Sequence, residues 1–297
     1  MSPNLKGILA ISASASGFLL NDATMKYVTS AVPPGQALFL RGLGATMLIY
    51  MVMIVLRQPR PFRLLAHPAV LLRSIAAAGS AIFILLSLQV LPLATVNAVM
   101  QVSPLAVMAG AGILLGERIE WRRWAAALAG FAGVLAIIRP GADFVQSGAL
   151  LTLIALAFTG TRDLATRWTP PQSSALFIAL AGSMLVALGG LVLRPLEAWV
   201  SPPPYALALI GVACVFITIA YVFGVIAMRN GELSIVAPFR YVQMPLSVGL
   251  GYLIWGHVPD KIAAAGMALV VAAGLYVLSR DQVARRRARQ PSASAPA

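Results

Sequence analysis

Ten apolar runs, each about the length a helix needs to cross a bilayer, constrain this chain more than any other feature of it. They fall at 5–28, 36–56, 70–90, 94–115, 121–138, 147–167, 173–193, 204–228, 233–254 and 261–279, with short loops that leave no room for a soluble domain. Backbone polar groups find no water in hydrocarbon, so only helices and closed barrels span it. A barrel would need segments of about ten residues with alternating polarity, and the sequence has none. The expected fold class is therefore an all-α membrane protein with ten transmembrane helices in the lipid bilayer.

Charge placement supports this. Only 10% of the 297 residues are charged and 60% are hydrophobic, against roughly 25% charged in a soluble domain. The net charge of +13 would suit nucleic acid if it were spread over a surface, but the cations cluster at segment ends. Arg57, Arg60 and Arg63, then Arg118, Arg122 and Arg123, then Arg285, Arg286, Arg287 and Arg289 form three groups. Loops rich in Lys and Arg stay cytoplasmic, and a cytoplasmic N-terminus puts all three groups on that side. The expectation is a multi-pass inner-membrane protein with both termini cytoplasmic and no nucleic-acid partner. A disordered basic tail over 281–297 would touch anionic lipid.

Other chemistry is sparse. Cys214 is alone in an apolar run, so no disulfide within the chain is expected. His67 and His257 lie in separate loops without metal-ligand spacing, no nucleotide-binding G-x-x-x-x-G-K-[ST] loop is present, and no cofactor is expected. The stretch "ASASG" at 13–17 resembles a small-residue cleavage site, but only Lys6 precedes it and hydrophobicity resumes at Phe18, so the segment is read as retained.

The chain is also written twice. "NDATMKYV" begins at 21 and "TRDLATRW" at 161; aligning Asp22 with Asp163 aligns Lys26 with Arg167. Pro33-Pro34 is followed by "ALFLRGLGATML" and Pro170-Pro171 by "ALFIALAGSML", and Pro104, Gly133 and Arg139 match Pro245, Gly274 and Arg280. Landmarks kept in order at a fixed spacing mark an internal repeat. Each copy holds five segments, an odd number, so the second copy enters the membrane from the opposite side. This predicts two inverted five-helix repeats, 5–141 and 147–280, the architecture of many secondary transporters. Residues four apart share a helix face, so Asp22–Lys26 and Asp163–Arg167 are expected as ion pairs with a gating or structural role.

Substrates are rarely symmetric, so polar residues present in one copy only are the better binding candidates. Arg41 aligns with Ala179, and Arg240 with Val99; neither has an acid four residues away. Intramembrane ionisable groups mark functional sites by default, and a guanidinium suits an anionic or carbonyl-bearing ligand. Gln243, with Ser247, shares a face with Arg240, and Tyr241 is adjacent; Asn97 and Gln101 share a face with Pro104. Pro104 and Pro245 are expected to kink their helices and widen a cavity. Tyr221 and Phe83 are candidates to stack on a flat substrate, with core packing the stronger reading, and for Asn97 and Gln101 links between helices stand level with ligand contact.

With these residues in place, the chain resembles the drug/metabolite transporter superfamily, in its ten-helix EamA-type members. The resemblance rests on the repeated unit, on "ATVNAVMQVSPLAVMAGAGILLGERIEWRRWAAALAGFAGVLAIIRPG" (94–141) and on "SIVAPFRYVQMPLSVGLGYLIWGHVPDKIAAAGMALVVAAGLYVLS" (234–279). His257 stands where many members have Glu. The resemblance implies a secondary carrier working by alternating access on a small-molecule substrate, as monomer or homodimer. "ND…K", "FLR" and "APFRY…PDK" look like the branch with riboflavin and S-adenosylmethionine uptake carriers, near which amino-acid and metallophore exporters also lie. Riboflavin is the slight preference. A membrane-embedded enzyme or lipid-handling scaffold would need a catalytic cluster, and a channel a continuous polar pore; the sequence has neither.

Overall fold

The computed structural model describes residues 3–114, 120–138, 148–230 and 237–289. They form eleven α-helices: α1 (Pro3–Val28), α2 (Pro34–Val55), α3 (Pro68–Val90), α4 (Leu93–Met100), α5 (Ser103–Leu114), α6 (Trp121–Ile138), α7 (Ala149–Thr166), α8 (Ala175–Val192), α9 (Pro204–Asn230), α10 (Gln243–Trp255) and α11 (Lys261–Arg289). Short 3-10 turns cover Phe62–Ala66, Arg194–Leu196 and Ala237–Val242, and there is no strand among the described residues. Seven segments are long and apolar enough to cross a membrane, α4 and α5 counting as one, and Trp124–Ile138 and Lys261–Val277 are shorter apolar helices. With α10 and the turn before it, these account for the ten apolar runs of the sequence.

Local chemistry sets the helix ends. Pro34 and Pro68 sit in first turns, where their missing N–H costs nothing. His67 Nδ1 caps α3 by accepting from Ala69 N, and Ser174 Oγ caps α8 by accepting from Phe177 N at 3.1 Å. Asp260 Oδ1 accepts from the N–H groups of Ile262 and Ala263 at the start of α11. Gly256 ends α10 at φ 69°, the left-handed geometry that glycine adopts without strain. The N-terminus of α2 borrows its cap from a distant loop: Glu197 accepts from Gly35 N at 2.9 Å, and Gln36 exchanges two hydrogen bonds with the backbone of Val200.

Two expectations change here. The fourth and ninth apolar runs are broken rather than kinked. α4 stops at Met100 and α5 starts at Ser103, with Pro104 in its first turn; the 3-10 turn ends at Val242 and α10 starts at Gln243, with Pro245 in its first turn. The two breaks fall at positions that the sequence alignment pairs, through Pro104 and Pro245. Pro104 and Pro245 have no N–H to bond the carbonyls of Met100 and Tyr241 four residues back, yet proline is tolerated in a first turn, so a helix starts anew around each. The basic tail is also helical as far as Arg289, because Ala, Arg and Gln favour helix and no Gly or Pro interrupts 275–290; 290–297 lie outside the described residues.

The bundle is held by four main helix pairs: α1 with α9, α3 with α7, α2 with α8 and α6 with α11. Hydrophobic burial does not drive helix pairing in lipid, so close approach of small residues does. A Cβ added at Gly42 of α2 would lie 2.6 Å from the backbone nitrogen of Ala187 in α8. Gly133 of α6 and Gly266 of α11 face each other's carbonyl oxygens, 2.8 and 2.7 Å from where a Cβ would stand. By contrast, Gly211 in α9 has open space at its Cβ position. Gly42→Ala is therefore expected to destabilise by about 1–3 kcal/mol through overpacking, while Gly211→Ala is neutral or gains up to about 1 kcal/mol. Thermal unfolding of both variants in detergent checks the contrast.

Candidate functional site

The polar groups of the bundle gather around a cavity with two lobes that share Phe18, Asp22, Ile84 and Arg162 as common walls. Each lobe encloses about 110 Å³, against roughly 10–15 Å³ for one water, so each takes several waters or a polar ligand group. α1, α2, α3, α7, α8 and α9 enclose the first lobe. The second lies at the helix breaks, between α4 and α5 on one side and the Ala237–Val242 turn and α10 on the other.

In the first lobe Arg41, buried in α2, donates from Nη1 to Asn21 Oδ1 at 3.1 Å, and Asn21 Nδ2 donates to Asp22 Oδ1 at 3.0 Å. The amide thus sits between guanidinium and carboxylate, and Arg41 Nε has no partner. Tyr221 lines this lobe and meets Phe18 edge to face at 5.5 Å. In the second lobe Gln243 Nε2 donates to Asn97 Oδ1 at 2.6 Å, linking α10 to α4, while Asn97 Nδ2 donates to Leu93 O. Gln101, only 7% exposed, lines the same lobe with its Nε2 unpartnered. Arg240 opens into it from the 3-10 turn.

Of the sequence candidates, Arg41, Arg240, Gln243, Asn97, Gln101, Tyr221 and Asp22 therefore line one cavity. Tyr241 does not: it packs towards α11, where its ring lies where a Cβ of Gly274 would stand. Phe83 stacks on Phe158 with ring centroids 5.6 Å apart and lines neither lobe, which matches its core-packing reading. Ser247 is buried and bonded to Met244 O.

The expected ion pairs take other partners. Lys26 turns away from Asp22 and donates to the carbonyls of Leu88 and, at 2.7 Å, Leu91, with Nζ 5.6 Å from the centre of the Trp255 ring. Carbonyls at a helix C-terminus lack intrahelical donors and carry partial negative charge, so the end of α3 offers a cation as much as a carboxylate would. Asp163 pairs with its neighbour Arg162 at 2.8 Å and accepts from Ser103 at 3.3 Å. Arg167 is exposed, beyond both lobes.

Arg162, a wall of both lobes, was not among the sequence candidates. Its signal was present: it aligns with Asn21, so it too breaks the symmetry of the repeat. Arg73 is a second addition; it donates to Thr166 Oγ1 at 2.9 Å and to Ile178 O at 3.4 Å, tying α3 to α7 and α8. Along α3 the first lobe runs from Ala77 to Leu88, ~16 Å at helical rise, and Arg73 and Lys26 fasten the structure at its two ends. Leu88 also lines a surface recess with Lys26, Trp255 and His257, so the Lys26 contact is the partition between cavity and recess. Lys26→Met, which keeps the stem and removes the donors, is expected to raise labelling of an Ile84→Cys reporter by membrane-impermeant thiol reagents several-fold. An unchanged labelling rate would mean the partition does not depend on Lys26.

Comparison with known proteins points to a transporter. Residues 5–139 match the EamA-like transporter family. A riboflavin transporter of Rhizobium johnstonii is 29% identical over 69% of this chain and 67% of its own length. An S-adenosylmethionine uptake transporter of Rickettsia prowazekii is 25% identical over 66% of each. A pseudopaline exporter of Pseudomonas aeruginosa is 28% identical over 93% of this chain and 96% of its own length. One protein solved by crystallography shares the fold, with a TM-score of 0.62 at 21% identity over 94% of this chain and 98% of its own. The chain is a multi-pass membrane protein that transports a small molecule, and over residues 5–139 it is similar to the EamA-like transporter family.

Proposed function

We propose that this protein is a secondary carrier of the inner membrane that moves a small organic metabolite by alternating access. In this reading, residues 5–141 and 147–280 are inverted repeats, both termini are cytoplasmic, and substrate binds in the two-lobed cavity between the repeats. The observation that carries the reading is that both helix breaks stand at equivalent positions and border one polar lobe. Irregular backbone at membrane depth is tolerated where it lines a water-filled cavity, and broken helices beside a central site are a transporter feature. The packing supports the repeat: exchanging the halves turns the α1–α9 pair into α7–α3, and leaves α2–α8 and α6–α11 each paired with themselves.

Riboflavin uptake is the preferred substrate assignment. The free donors of Arg41 and Gln101 suit the carbonyls of a flat heterocycle, the Phe18–Tyr221 corner suits its rings, and one relative is named for riboflavin. Export is a second reading, favoured because the relative that matches along nearly the full chain is named an exporter. S-adenosylmethionine and amino acids complete the set to be tested.

Counterflow in proteoliposomes with labelled riboflavin, S-adenosylmethionine and amino acids tests the assignment. The expected result is accumulation of labelled riboflavin, competed by unlabelled riboflavin. Silence for riboflavin from folded protein sinks that substrate, and a signal for another label replaces it. Arg240→Ala is expected to abolish counterflow while expression holds; wild-type rates in this variant would remove the second lobe from the site.

A further inference from the structure

We propose that the second lobe is an anion subsite, formed by the Arg240 guanidinium and the Gln101 amide beside Arg162, that takes a carboxylate group. The proposal deepens the carrier reading and rests on it for the claim that the cavity is a binding site. Among the described residues, the cations and acids that line the two lobes are Arg41, Arg162, Arg240 and Asp22. Asp22 and Arg41 share Asn21 between them, so these two charges belong to one hydrogen-bonded unit. Arg162 is matched by Asp163, whose second oxygen is taken by Ser103. Among the described residues, Arg240 is left over. It makes no side-chain hydrogen bond to a described residue, its Coulombic neighbours include Asp163, already committed, and the like-charged Arg162, and its side chain opens into the lobe.

Hydrogen-bond accounting gives the same sign. Asn97 and Gln243 are spent on each other. Gln101 is more than nine-tenths buried, and its Nε2 has no partner. The buried unpartnered side-chain atom of this lobe is thus a donor, Gln101 Nε2, and the guanidinium fork of Arg240 adds further donors beside it. A ligand group placed here must bring acceptors and negative charge. One unmatched cation calls for one negative charge, which a carboxylate carries and which its two oxygens deliver to a guanidinium in a paired geometry; a phosphate dianion would overshoot. The carboxylate has two possible sources. It belongs to a substrate whose body extends past Phe18 and Ile84 into the first lobe, or to a free small anion bound beside an uncharged substrate.

The test is thermal unfolding of the full chain in detergent and chloride-free buffer, titrated with benzoate, its uncharged isostere benzamide, acetate and chloride. Benzoate is expected to raise the Tm saturably and benzamide to leave it unchanged. Arg240→Gln is expected to raise the half-saturating benzoate concentration by about tenfold or more, the loss of a charge-assisted hydrogen bond. Gln101→Leu is expected to raise it less, and it carries the test should Arg240→Gln fail to fold. A shift with benzoate but not with acetate or chloride assigns the anion to the substrate itself. A shift saturated by acetate or chloride, to which benzoate adds nothing, assigns it to a free anion. Benzamide acting as well as benzoate, or an unchanged benzoate midpoint in the folded variants, overturns the subsite. Counterflow on the same preparation separates the two levels: a benzoate shift without counterflow rejects the carrier and keeps the subsite, and counterflow without a shift does the reverse.

Discussion

Everything in this bundle depends on one constraint: hydrocarbon offers no partner to a backbone N–H or C=O. Each place where a helix starts, stops or breaks must therefore be answered from within the protein or from a cavity. The start of α2 is answered by Glu197 and Gln36, the end of α3 by Lys26, and the start of α11 by Asp260. The breaks before α5 and α10 border the second lobe, where Asn97 also donates to the carbonyl of Leu93. The site exists where the helical ladder is interrupted, because that is where polar groups remain to be used.

The charges follow the same logic on a larger scale. An ion inside the membrane needs a counter-ion or a route to water, since insertion of an unpaired one costs about 2.5–3.5 kcal/mol. Arg162 has Asp163, Arg41 reaches Asp22 through Asn21, and Lys26 has the carbonyl end of a helix together with the Trp255 ring. These arrangements use three different kinds of partner for the same physical problem. Where none of the three is supplied by the described residues, at Arg240, the side chain opens into the cavity instead.

Much of this was legible in the sequence, and the misses have physical causes. Run length announced the spans. Broken symmetry picked out Arg41 and Arg240, both of which reach the cavity. The same test applied to position 162 would have found Arg162 against Asn21; the acid beside it drew attention to the i, i+4 spacing instead. Helix spacing states which residues share a face but not which neighbour that face meets. So Lys26 looked like a partner for Asp22 when α3, over 60 residues away, presented free carbonyls. Tyr241 packs away from the cavity for a related reason: adjacency in sequence to Arg240 does not fix the direction in which a ring packs. Proline at 104 and 245 marked the right places but the wrong geometry, because a proline two or three residues into a helix can start that helix instead of bending one.

The contact between α6 and α11 has a mechanical consequence. At Gly133 and Gly266 main chain lies on main chain, with each carbonyl against the other glycine. Side chains that interlock can slip past one another by changing rotamer, but bare backbone has no rotamers to change. This crossing resists sliding and leaves rotation as its soft direction, which is the behaviour of an axle. If the two halves rock, their pivot passes through these glycines, and the widest travel falls on the helices farthest from it.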